Sequence, residues 1–366
     1  MKVSILQSRR LLGASILVLG TLLVLPFLLR STRPATREQA YLTVDAKTGP
    51  VGYLVNEIYH DPVDADVVFL GTSPTMHAIS PDRLELLLSE RLHRKANVRV
   101  LALSWGGYDL QYFMLRDYLQ HHHPQLVVLE APRPETMYAG PQQAAHAWYR
   151  FGDYADAVSA IPLRGRLQLY GEAVVGGPRQ LYSMLRENRL GPAEGGLAEY
   201  EAYTARILKH NLLDPSFDPV QPLTRVAVAP PDPVPPPVYS DAPVVRLTEK
   251  ANSEYSSAFL GLIGELRRHE HLPLALIYYP FAYDKDDDFI PTCLDLRKAV
   301  GCRCPLLGLS ASELFQNLSH ERRELCFGDR VHLNQNGAEL FDKVIAMQLA
   351  SVFGQGVESI EKANDE

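Results

Sequence analysis

No compositional extreme marks this sequence of 366 residues. Hydrophobic residues make up 46% and charged residues 22%, which excludes disorder, collagen and a coiled coil. There is no internal repeat and no basic stripe. The net charge is −7, yet the first 37 residues hold six basic groups (Lys2, Arg9, Arg10, Arg30, Arg33, Arg37) and not one acid. The remainder therefore carries −13, and an acidic body without a basic face excludes a nucleic-acid partner. The length admits two domains, or one α/β domain carrying an insertion.

Charge is also missing between Leu11 and Leu29, 19 residues dominated by Leu, Val and Ile. A run of this length spans the hydrocarbon core as a helix. A cleaved signal peptide, the alternative, has an apolar part of only ~7–15 residues and ends in small residues. Here the run ends Pro26-Phe27-Leu28-Leu29-Arg30 with no Ala-x-Ala site behind it. Residues 11–29 are therefore read as a transmembrane signal anchor, with residues 1–10 cytoplasmic. Basic residues flank both ends, so the positive-inside rule does not choose an orientation.

Cysteine is scarce, and Cys293, Cys302, Cys304 and Cys326 all lie in the last quarter. Cys-x-Cys is not the usual zinc spacing, and no companion cluster accompanies it. An even number suits disulfides in an oxidising compartment, which places the body outside the cytoplasm. Cys302 and Cys304 are too close in chain to pair easily. Each is expected to pair with Cys293 or Cys326, giving two bridges.

Residues 30–65 read as a tether and lead-in to a body at 66–353. Asp66-Val67-Val68-Phe69-Leu70 is a short apolar strand, followed by Gly71-Thr72-Ser73. Ser80-Pro81-Asp82 starts a helix, with a capping hydroxyl, proline in the first turn and an acid at the positive dipole end. Further strands are expected at 98–103, 126–129 and 272–279. Helices are expected around 110–120, 248–269 and 337–353. Alternation at this spacing predicts a parallel sheet with right-handed crossovers. Residues 134–244 form an insertion far longer than an ordinary connection. Its end, 215–243, holds ten of the 27 prolines, and Pro235-Pro236-Pro237 should be extended and exposed. The tail 354–366 is polar.

Ligands of open α/β sheets bind at the carboxyl ends of strands. Ser73 follows the first strand there, and Gly106-Gly107 follows the second. Late in the chain comes Asp329-Arg330-Val331-His332-Leu333-Asn334, then Gly337. A hydroxyl becomes a nucleophile when a base takes its proton, and an imidazole needs a carboxylate to fix its tautomer. Asp329 and His332, three residues apart before a helix, suit that pair. Taken singly, Gly-Thr-Ser is a common turn and Asp-x-x-His a common helix cap. His77 competes as base but has no carboxylate nearby in sequence. His121-His122-His123 complements a helix dipole, and Glu130 reads as a buried strand-end acceptor.

In this order the blocks resemble the SGNH/GDSL hydrolase superfamily over residues 64–133 and 245–353. Gly71-Thr72-Ser73 matches the first block, Gly107 the second-block glycine, and His332 to Gly337 the His-Leu-Asn-x-x-Gly of the last. The resemblance implies a three-layer α/β/α fold with a mostly parallel sheet, behind one transmembrane helix. It implies catalysis by Ser73, His332 and Asp329, with the amides of Ser73 and Gly107 as the oxyanion hole, and it implies no cofactor and no metal. One block departs: Leu129-Glu130-Ala131-Pro132-Arg133 has no Asn to donate to the oxyanion. Arg133 is a candidate replacement, a structural salt bridge being its competing role.

Such variants resemble the membrane-anchored cell-envelope branch, the teichoic-acid D-alanylation and alginate-type O-acetylation proteins. That implies an acyltransferase or esterase on a cell-envelope glycan or related polymer, at the inner membrane with its body periplasmic or extracellular. A membrane-bound acyl-transfer partner follows from the same resemblance. The rival readings are a non-catalytic scaffold that docks such a partner, and a free lipid esterase.

Overall fold

The computed structural model describes residues 12–21, 24, 36–131, 148, 159, 161, 163–168, 195–209, 223–237, 254–282 and 304–355. Among the described residues there are five strands: β1 (Val67–Gly71), β2 (Val98–Ala102), β3 (Leu126–Glu130), β4 (Leu274–Ile277) and β5 (Leu306–Leu307). They form one sheet in the order β2-β1-β3-β4-β5, with every neighbouring pair parallel. β1 and β3 are buried along their whole length, as continuous apolar runs covered on both faces must be. Register aligns Gly71 with Ala102 and Leu70 with Leu129. Gly71, Ala102 and Glu130 therefore finish level at one sheet edge.

Among the described residues, the helices of the body include α1 (Arg37–Leu42), α2 (Val51–Val55), α3 (Ser73–Ala78), α4 (Pro81–Leu92), α5 (Tyr108–Leu119), α6 (Leu197–Leu208), α7 (Glu254–His269), α8 (Ala311–Leu314), α9 (His320–Glu324) and α10 (Gln335–Gly354). The step from β1 to β2 runs one way across the sheet, and the steps from β2 to β3 to β4 run the other. Right-handed crossovers then put α4 on one face and α5 and α7 on the opposite face. The packing agrees, since α10 lies against α4, and α7 against α5.

Residues 36–65 are not a free lead-in but part of this body. Ala40, Tyr41, Tyr53, Leu54 and Ile58 are buried. Asp117 on α5 accepts from Arg37, from the Tyr41 hydroxyl at 3.0 Å and from Trp148 Nε1 at 2.9 Å. Within the 134–244 stretch, α6 packs on α2 and α3. Residues 223–237 are irregular and run beside α10. Asn336 Nδ2 donates to the Thr224 carbonyl at 2.8 Å, and Gln348 Nε2 to that of Pro235 at 3.0 Å. Pro236 is exposed as expected, but Pro237 is buried.

Residues 12–21 are helical, with Leu12, Ile16, Leu17, Val18 and Leu19 exposed. Among the described residues no helix is long and apolar enough to cross a membrane. Much of the 11–29 run lies outside them, as do residues 356–366.

The cysteine expectation needs correction. Cys304 is disulfide-bonded, but Cys326 is a free, buried thiol, so no bridge through Cys326 is made. Its Sγ lies 3.8 Å from the Arg322 carbonyl. Burial pushes the thiol up to about 12 against the opposing charge of Arg322. Cys293 and Cys302 lie outside the described residues.

Candidate active site

The turn that carries the candidate nucleophile Ser73 grows out of β1. Thr72 is extended and caps α3, so Ser73 takes the first helical position. Glu130, level with Gly71, reaches across from β3. Its Oε2 accepts from the Thr72 N–H at 2.5 Å and the Thr75 hydroxyl at 2.6 Å, and its Oε1 from the Thr72 hydroxyl at 2.9 Å. A Cβ on Gly71 would collide with Thr75 Oγ1 and the same carboxylate. Burial raises the Glu130 carboxyl, while the bonds from Thr75 and Thr72 oppose that rise. Glu130 is thus the strand-end acceptor expected of it, and it clamps the turn that presents Ser73.

The candidate base comes from the far end of the chain. Asp329 Oδ1 accepts from the N–H groups of Val331 at 2.8 Å and His332 at 2.9 Å, closing a tight turn. Its Oδ2 meets His332 Nδ1 at 2.8 Å, and His332 Nε2 meets Ser73 Oγ at 2.8 Å. With the carboxylate taking the Nδ1 proton, Nε2 is left to accept from the serine. Burial pushes the Asp329 carboxyl up, but the hydrogen bond and charge of His332, with the two backbone N–H groups, outweigh it. The net direction is down.

Asn334 holds this turn against α10. Its side chain accepts from the Asn336 N–H at 3.0 Å and donates to the carbonyls of Leu325 at 2.9 Å and Phe327 at 3.2 Å. Backbone bonds Gly328 N to His332 O at 2.9 Å and Asn334 N to Cys326 O at 3.1 Å complete the loop. These contacts do the tethering that a Cys326 bridge was expected to do.

Gly107 is extended and caps α5. A Cβ on neighbouring Gly106 would lie 2.8 Å from the Leu103 carbonyl and 3.7 Å from Thr72 Cγ2, so the turn after β2 lies against the nucleophile turn. Among the described residues, the N–H groups of Ser73 and Gly107 have no backbone partner. They are the donors available to an oxyanion. Arg133 lies outside the described residues.

His332, not His77, is the ring that meets Ser73. His77 is buried, its Nδ1 has no partner, and its ring packs against that of His332. His122 is structural: it stacks on Tyr118 and its Nε2 lies 3.1 Å from the Ile58 carbonyl. Among the described residues no group of His, Cys, Asp or Glu could hold a metal ion. The contact of His77 with His332 and the exposed Trp105 beside Gly106 escaped the sequence reading, since neither has a spacing signature. No family model, curated protein or solved structure matches this chain.

Proposed function

We propose that the chain is a serine acyltransferase or esterase with an SGNH-type three-layer fold, acting on acyl esters of a cell-envelope glycan or related polymer. One observation carries the reading: Ser73 Oγ, both ring nitrogens of His332 and the Asp329 carboxylate form an unbroken line with 2.8 Å at each joint. Geometry of this kind turns an ordinary hydroxyl into a nucleophile.

The Ser73 hydroxyl attacks the acyl carbonyl as its proton passes to His332 Nε2. The resulting oxyanion takes the N–H groups of Ser73 and Gly107. As the tetrahedral intermediate collapses, His332 returns the proton to the departing alcohol oxygen, and the acyl group stays on Ser73. Water or a sugar hydroxyl then attacks the acyl carbon, giving its proton to His332, and as the bond to Ser73 breaks His332 returns that proton to the Ser73 oxygen. Asp329 stays ionised throughout and supports the imidazolium.

Residues 11–29 anchor the protein in the cytoplasmic membrane, with the body periplasmic or extracellular. The uncharged run, its exposed apolar helix at 12–21 and the disulfide at Cys304 support this placement. A scaffold reading draws on one feature, the absence of a third-block Asn, since a lost oxyanion donor costs ~10²–10³ in rate. Fluorophosphonate labelling of the full chain separates the two: the enzyme reading requires a covalent adduct on Ser73, and an unlabelled, folded protein supports the scaffold.

A further inference from the structure

Trp105 sits in the turn between Ser104 and Gly106, two residues before Gly107. Its backbone is left-handed at φ 59, a conformation that costs a bulky residue energy and that Gly or Asn takes more readily. The side chain is 77% exposed, the highest value among the large exposed hydrophobics described. A strained, solvated Trp contributes little to folding. Its backbone is nevertheless firmly held. The Ser104 N–H donates to the Thr48 carbonyl at 2.6 Å, and Ser104 Oγ meets the Tyr203 hydroxyl at 2.9 Å. Tyr203 in turn donates to the Lys47 carbonyl at 2.9 Å. The turn is pinned, and only the indole is free.

We propose that Trp105 is a stacking platform for a pyranose ring of the acylated glycan, setting substrate position beside Ser73. The surroundings decide the chemistry. The groups that the turn carries or meets are Ser104, Gly106, Gly107, Thr48 and the Lys47 carbonyl, which are polar or lack a side chain, whereas a protein docking site has a contiguous apolar centre. A single aromatic plane in polar surroundings fits a sugar, which offers one apolar C–H face rimmed by hydroxyls. The role as a substrate platform rests on the Ser73 reading, but the binding itself does not.

The test therefore uses the full-length S73A protein in detergent, where binding is read without turnover. The sequence has two tryptophans, and Trp148 is fully buried, so acrylamide quenching of tryptophan fluorescence reports on Trp105. Hexasaccharides of N-acetylglucosamine, of glucose and of mannuronate are the probes. At least one should protect the indole from quenching. By calorimetry W105A should weaken that probe by about tenfold, with W105F staying close to the parent. If none of the three protects, or if W105A binds as the parent does, the platform is overturned. Protection with no fluorophosphonate adduct on the parent Ser73 would keep the platform and overturn the enzyme.

Discussion

The ring of His77 meets the ring of His332 edge to face, with centroids 4.8 Å apart and planes at 74°. Burial first, and then the charge of His332, push the His77 imidazole down to about 3, against the opposing pull of Asp329. The neighbour of His332 is therefore a neutral ring. A second imidazolium there would repel one on His332.

This arrangement has a signature in stability. Between its ordinary value of 6.5 and about 3, His77 holds a proton in the unfolded chain that it lacks in the folded one. Its stabilising effect is complete above that window and is lost on acidification through it, at up to about 1.4 kcal/mol per pH unit. His77→Phe should flatten this part of the acid limb in urea denaturation. Superimposable pH profiles for the two proteins would contradict the assignment.

Ser73→Ala and His332→Ala should each remove fluorophosphonate labelling and lower ester hydrolysis by about 10⁴–10⁶-fold, and the double variant should lose little more. Additive losses would mean that the two side chains do not act as one unit.

Asp329→Asn should cost about 10⁴-fold in kcat, because the amide favours the wrong His332 tautomer. The fold should persist, since an amide oxygen can still accept from Val331 and His332. Far-ultraviolet circular dichroism beside the kinetics checks both halves.

Glu130→Gln replaces one of the two acceptor oxygens with a donor. One of the Thr72 or Thr75 groups is left unpaired in the interior, a loss of about 1–3 kcal/mol. Adding Thr75→Val should recover part of that loss in a double-mutant cycle. No coupling between the two positions would show that the clamp is not energetically real.

The strands at the centre of the sheet could be read from sequence because they are buried on both faces and consist of little but Val, Leu and Phe. β5 could not, since Leu306–Leu307 is only two residues long. The span from Arg37 to His60 read as lead-in because it lacks a strand, yet its aromatic residues pack into the core. Ser73, Gly107, Asp329 and His332 were legible because each follows a strand or precedes a helix at a characteristic spacing. His77 and Trp105 were not, since their roles depend on a ring contact and a backbone angle that spacing does not encode. The bridge through Cys326 was misread because cysteine parity says nothing about which thiols face the interior.

Ser73 lies 259 residues ahead of His332. At about 5–20 residues per second, a ribosome spends roughly 13–50 s between the two codons. For all of that interval the growing chain carries a hydroxyl with no base to activate it. β4 and β5 are made before His332 arrives, so the line from Ser73 through His332 to Asp329 is completed only when almost the whole body exists. A nascent or prematurely ended chain lacks that line by construction.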